Sequence, residues 1–346
     1  MTAGIWGTRE MGESSGRPDE RGLEELFLGG EMRYTRAEAS RRAGVDPDFA
    51  HRIWRAMGFA DLADDEAALT DGDVSALRIA GEQLERGIVD EDAAIRVARA
   101  MGQAMARLAE SEIDIITQLM FEPGKPLTDD EVAGLLSYIE EMLPAMEPLI
   151  VQVWRRQLAA SGTRSMAMAA ANQDMPLTSG PLGVGFADIV SFTEISRSLD
   201  ETELARLVEG FEAVASDIIS AHRGRLVKTL GDEVLFTADN PAALTEIGLE
   251  LAEAMDTPRV RVGLAYGPVL PIMGDVFGTT VNLASRITAM ARPGAVLADT
   301  GLADVLANDT AYRVVRILRR PARGLGVIQP HVIRRTERRT ANGPRR

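Results

Sequence analysis

Residues 224–238 read GRLVKTLGDEVLFTA. Apolar residues on either side of the Leu-Gly-Asp turn describe two short strands folded about a tight hairpin. Upstream, GVGFADIV (183–190) is a short apolar run holding one acid, which reads as a buried strand. Between the two, Leu204, Leu207, Val208, Phe211, Val214, Ile218 and Ile219 form a helical stripe, predicting an amphipathic helix over 201–221. Downstream, NPAALTEIGLELAEAM (240–255) opens with an Asn cap and Pro behind it, the start of a further helix. RVRVGLAYG (259–267) and AVLAD (295–299) read as strands on either side of a helix, TTVNLASRITAMA (279–291). Two late strands fit 312–318 and 328–334. The order is β-α-β-β-α-β with additions. That order builds an α+β ferredoxin-like sandwich, an antiparallel-containing sheet with helices on one face. In such a unit the first strand of the hairpin is expected beside the opening strand.

At 346 residues the chain has room for two domains, each with its own core. An apolar content of 45% with mixed charge describes a globular protein. With no cysteine there is no disulfide framework and no thiolate metal site. No apolar run is long enough to span a membrane, and the first twenty residues lack the apolar core of a signal peptide. A cytoplasmic protein is the expectation. The net charge of -14 is unevenly placed: residues 1–160 hold 17 basic and 31 acidic residues, and residues 161–346 hold 21 of each. An acidic surface repels phosphodiester backbones, which weighs against nucleic acid as a partner of the front half.

That front half, residues 1–158, reads as all-helical. TRAE (35–38) and TDDE (128–131) have capping-box spacing, and DPDF (46–49) offers an Asp cap with Pro at the first helical position. Helices are predicted over 36–43, 47–57, 73–86 and 91–120, with a last one from 128 to about Arg156 kinked at Pro144 and Pro148. Residues 159–181, rich in Ala, Ser, Gly and Met, read as a linker whose composition leaves helix or coil open. Residues 182–336 make the second domain, and 337–346 a basic tail.

Two aspartates stand where chemistry is expected. Asp188 lies inside an apolar strand, where a lone carboxylate needs a cation or hydrogen-bond donors. Asp232 lies in the hairpin turn. Two carboxylates meeting there would suit a hard divalent cation, Mg2+ or Mn2+, with phosphate oxygens completing its shell. Spacing alone leaves the alternative open, a hydrogen-bonded strand Asp and a surface turn Asp. A second oddity is Lys228. Of 38 basic residues only Lys125 and Lys228 are lysine.

FADIVSFTEIS (186–196), GRLVKTLGDEVLF (224–236), RVGLAYGPV (261–269) and DVFGTTVNLASRI (275–287), in that order, resemble the class III nucleotidyl cyclases over roughly 182–336. The resemblance implies a homodimer with shared active sites. It implies two metal ions per site on Asp188, Asp232 and the backbone carbonyl of Ile189. Lys228 and Asp275 match the pair that reads adenine, pointing to ATP over GTP: a compact ammonium can meet a ring nitrogen, and a carboxylate accepts from the exocyclic amine but repels guanine's carbonyl. Asn282 matches the ribose-orienting amide and Arg286 the transition-state arginine, four apart on one helix face. Phe192 and Thr193 fall where backbone amides meet the triphosphate, although Ser191 stands where the family often has Gly. Arg323 is the nearest match to a phosphate-contacting lysine.

The acidic helical half resembles the regulatory domain of some actinobacterial class III cyclases, implying autoinhibition and a pH response. The histidines available are His51, His222 and His331. His222 sits at the end of an apolar stripe, where a satisfied helix-end histidine competes with a sensor; clustered carboxylates could serve instead. Met-rich stretches such as VARAMGQAMARLAESEIDIITQLM read as core, or as an adaptable pocket for a fatty-acid-like ligand. Residues 34–60 also have helix–turn–helix spacing, with Arg52 and Arg55 on the second helix, the alternative being a DNA-binding regulator fused to a degenerate cyclase. The enzymatic alternative is a guanylate or diguanylate cyclase using GTP, though Leu230 replaces the first of the latter's paired glycines.

Overall fold

The computed structural model describes residues 20–121, 125, 128–171 and 180–336. The chain divides into two compact units, Met1–Leu158 and Ala159–Arg346.

The first unit is built from α1 (Glu20–Leu28), α2 (Arg36–Ala43), α3 (Pro47–Met57), α4 (Asp71–Glu85) and α5 (Glu91–Met120), followed by α6 (Asp129–Ala171). The capping signals act as read. Thr35 and Glu38 close a capping box, Asp46 accepts from the amides of Asp48 and Phe49, and Gly44 and Gly58 end α2 and α3 in the left-handed region. Thr70 and Asp73 close a second box, so α4 starts two residues earlier than the pattern predicted. Phe49 and Ile53 bury against Ala98 of α5, so the inner face of α3 packs on that helix. The two arginines of α3 face neighbouring acids: Arg52 bonds Glu91, and Arg55 lies 3.9 Å from Asp61. Helix α1 was not foreseen.

Helix α6 continues through Pro144 and Pro148 to Ala171, so residues 159–171, expected as linker, are helical. Alanine and methionine are strong helix formers, and the single Gly162 costs about 1 kcal/mol. The rest of that segment, 172–179, and the basic tail 337–346 lie outside the described residues.

The second unit runs β1 (Pro181–Ile189), α7 (Phe192–Ile195), α8 (Glu201–Ala221), β2 (Arg225–Thr229), β3 (Glu233–Ala238), α9 (Pro241–Ala254), β4 (Val260–Pro268), β5 (Leu270–Ile272), β6 (Asp275–Phe277), α10 (Thr279–Met290), β7 (Val296–Ala298), α11 (Thr300–Leu306), β8 (Tyr312–Arg316), β9 (Arg320–Ala322), β10 (Gly326–Ile328) and β11 (His331–Arg335). Seven strands form one sheet in the order β2-β3-β1-β4-β7-β11-β8. It is mixed: β4 and β7 pair in parallel and the other neighbours antiparallel.

Two expectations are corrected here. The opening strand pairs with β3, the second strand of the hairpin, and β2 is left at the sheet edge. The fully buried Val234 and Phe236 of β3 supply the apolar surface that a central strand needs, whereas every residue of β2 is only partly buried. The helices also cover both faces. Helices α8, α9 and α11 pack on one side, around Phe211, Leu244, Ile247 and Leu302 with Val234, Phe236 and Val262 of the sheet. Helix α10 packs on the other, with Ala284 against Val184, Phe186, Leu235 and Ala265. Close approach of α10 requires Gly263 on β4: a Cβ there would stand 2.3 Å from the Thr288 amide nitrogen and 2.6 Å from the Ala284 carbonyl oxygen. Among the described residues no helix is long and apolar enough to cross a membrane.

Candidate active site

Strand β1 alternates between the two cores. Ala187 and Ile189 join the α8/α9 side, while Val184 and Phe186 join the α10 side. Asp188 therefore shares the α10 side and is only 6% exposed. Its register neighbours are Glu233 on β3 and Arg261 on β4, so a charged row Glu233–Asp188–Arg261 crosses three adjacent strands. Arg261 Nε donates to Asp188 Oδ2 at 2.6 Å, and Nη2 bonds the same oxygen. The hydrogen-bond donors that a buried carboxylate needs are thus supplied by Arg261, which sequence reasoning missed. RVRVG does show a charged residue inside an apolar strand, but its facing partner depends on a register that the sequence does not spell out.

Asp232 ends the hairpin turn, just after Gly231 at φ 72°. Its carbonyl accepts from the Ile189 amide at 2.9 Å, fastening the end of β1 to the hairpin tip. Burial pushes the Asp188 carboxyl above the ordinary range, Arg261 pulls it back, and the Asp232 carboxyl beside it pushes it up again. Glu233 is pushed up to about 7, chiefly by burial and then by Asp188 and Asp232, against the pull of Arg261. The chemistry of this group fits a hard divalent cation: crowded carboxylates repel each other, and a cation removes the repulsion. Among the described residues, though, no set of three or more His, Cys, Asp or Glu side chains is arranged to hold a metal. A cation at Asp188 and Asp232 would complete its shell from the Ile189 carbonyl, water and phosphate oxygens.

Lys228 lies on β2 beyond a bulge. The ladder pairs Leu226 with Phe236 and Lys228 with Leu235, leaving Val227 as the extra residue. Leu226 packs on the α8/α9 core, whereas Lys228, two residues on, reaches to the other side of the sheet. There its Nζ donates to Asp275 Oδ2 at 2.5 Å, while Oδ1 accepts from the Val276 amide at 2.8 Å. Burial alone would raise the Asp275 carboxyl; Lys228 and that amide hold it below the ordinary range. Beside them Arg225, its own pKa lowered by burial and by Arg164, donates to the Gly274 carbonyl at 2.9 Å.

Asn282 and Arg286 stand on the exposed side of α10, and among the described residues neither side chain has a hydrogen-bond or ion-pair partner. Phe192 and Thr193 open the four-residue α7, directly after Ser191 at φ 61°. Arg323 is exposed, at the turn between β9 and β10, and no bond joins it to the acids or to the Lys228 pair. One chain thus brings together Asp188 with Asp232, and Lys228 with Asp275, but leaves Asn282, Arg286 and Arg323 unengaged.

Residues 177–334 match the adenylate and guanylate cyclase catalytic domain family. Residues 23–161 match the adenylate cyclase regulatory domain family. The chain is 44% identical to an adenylate cyclase of Streptomyces coelicolor, over 91% of this chain and 89% of that one. It is 48% identical to an adenylate cyclase of Streptomyces griseus, over 82% of this chain and 71% of the relative. A pH-sensitive adenylate cyclase of Mycobacterium tuberculosis is 31% identical over 78% of this chain and 69% of its own length.

Proposed function

Because this chain belongs to the adenylate cyclases that carry an N-terminal regulatory domain, we propose that it converts ATP to 3′,5′-cyclic AMP and pyrophosphate at sites shared between two copies of the chain. The observation that carries the choice of ATP is the Lys228–Asp275 pair. An ammonium has three donors, so Lys228 can keep Asp275 and still donate to an adenine ring nitrogen. Asp275 accepts from the exocyclic amine; guanine would bring a carbonyl oxygen against the carboxylate. Asp188, Asp232 and the Ile189 carbonyl would hold the divalent cations, Mg2+ or Mn2+, two per site. When bound, these lower the pKa of the 3′ hydroxyl and neutralise phosphate charge.

Asn282 orients the ribose so that its 3′ oxygen lies in line with the bond to pyrophosphate. That oxygen bonds to the α-phosphorus, the bond to the bridging oxygen of pyrophosphate breaks, and the 3′ proton leaves to solvent. Arg286 offsets the charge that builds on the α-phosphoryl oxygens. Phe192 and Thr193 present backbone amides to the triphosphate, and Arg323 supplies a further phosphate contact. Sharing between two chains is supported by the hairpin: Lys228 and Asp232 flank one turn, yet one reads the base and the other the cations. A two-fold axis lets the acids of one chain face Asn282 and Arg286 of its twin.

The helical unit restrains this chemistry and responds to pH or to a fatty-acid-like ligand. Its charged cluster supports the pH reading. Arg36 Nη1 lies 2.8 Å from His51 Nδ1, and His51 Nε2 lies 3.6 Å from Asp61, which also faces Arg55. Arginine can only donate, so Nδ1 accepts and the ring proton sits on Nε2. Arg36 Nη2 also donates to Asp64 Oδ1 at 2.6 Å, so His51, Arg36, Asp61 and Asp64 form one charged group. A cytoplasmic location is in keeping with ATP as the substrate. The test of the function is product identification after incubation with ATP or GTP and Mn2+. Cyclic AMP is expected, and a cyclic guanine nucleotide as the main product would overturn the assignment.

A further inference from the structure

Arg261 has a place in the site that goes beyond satisfying a buried acid. Both of its bonds fall on one oxygen of Asp188, Oδ2, from a strand directly in register. The Asp188 side chain is 9% exposed and the Arg261 side chain 32% exposed, so the arginine is the more accessible partner of the pair. Around Asp188 the other close charges are acids, Asp232 and Glu233. Remove Arg261 and Asp188 keeps two acidic neighbours, Glu233 in register on β3 and Asp232 at the hairpin tip, and among the described residues no cation bonds it. The geometry points to Arg261 as the resident counter-cation of Asp188, a positioning residue that holds this acid in place before a divalent ion arrives and competes with that ion for it.

The inference rests on the reading of Asp188 and Asp232 as the cation-holding acids. Its physical basis is Coulombic. A guanidinium within hydrogen-bond distance of Asp188 repels an incoming divalent ion, and it must release Oδ2 or share it before the ion takes full hold. A purely structural ion pair differs in consequence: its loss would weaken the fold without tightening any cation.

The test uses the full chain without nucleotide, titrated with Mn2+ and followed by calorimetry and by the electron paramagnetic resonance of free Mn2+. Arg261→Leu is expected to melt at a lower temperature than wild type in EDTA. It is expected to bind Mn2+ at least about tenfold more tightly, and to gain more in Tm from Mn2+ than wild type does. Arg261→Lys keeps the charge but loses the second bond to Oδ2; it serves if the leucine variant does not fold, and should bind Mn2+ at least about threefold more tightly than wild type. Affinity in either variant equal to or weaker than wild type, with Asp188→Asn still weakening Mn2+ binding, overturns the competition and leaves the metal reading standing. Mn2+ binding that survives Asp188→Asn unchanged overturns both.

Discussion

Ser191 is held at φ 61°, in the left-handed region where a Cβ crowds the following carbonyl. The replacement of the family's frequent glycine was legible in the sequence; that the backbone there is left-handed was not. Ser191→Gly is expected to raise stability by about 0.5–1 kcal/mol, read by urea unfolding. A loss of stability would show that the serine side chain contributes more than the strain costs. Glu233 makes a different prediction. Its folded-state pKa of about 7 lies above its ordinary 4.5, so the folded chain holds the proton more tightly than the unfolded chain. The matching stability is full below pH 4.5 and is lost as pH rises through about 7. Glu233→Gln should therefore flatten that fall in EDTA, and be more stable than wild type at alkaline pH by about 1–2 kcal/mol once partial solvent screening is allowed for. A thermal-unfolding series across pH reads it, and an unchanged slope would contradict it. Neither this residue nor Arg261 was visible as part of the site, because both enter through cross-strand register.

At the scale of elements, the hairpin at 224–238 and most helix boundaries were legible, since caps and apolar periods are local signals. Strand pairing was not: β1 takes β3, and the acids meet because Asp232 immediately precedes the strand that pairs, not because β2 lies alongside. The bulge at Val227 was equally silent in sequence, yet it decides which side of the sheet Lys228 serves. Helix α10 carries Asn282 and Arg286 and lies directly over Gly263. Gly263→Ala would push the helix off the sheet, and such misplacement should lower kcat by about 100-fold while far-UV circular dichroism stays near wild type. Near-normal kcat would show that the position of α10 is not what sets the rate. Composition left helix or coil open at 159–171, and there helix propensity decides for helix.

Across the whole molecule, the division into an acidic helical half and a balanced α+β half was already written in the charge count. Residues 23–161 match a regulatory domain family, a kinship that the apolar pattern of the front half alone could not specify. Of the residues named from sequence, the structure brings Asp188 beside Asp232 and Lys228 beside Asp275, while among the described residues the side chains of Asn282 and Arg286 have no partner. Sharing of each site between two chains is tested most directly by mixing. Asp188→Ala and Arg286→Ala, each folded and each inactive alone, should on mixing recover about one quarter of wild-type activity. Random pairing makes half the dimers mixed, each with one intact site. No recovery from two folded, exchanging variants would contradict it.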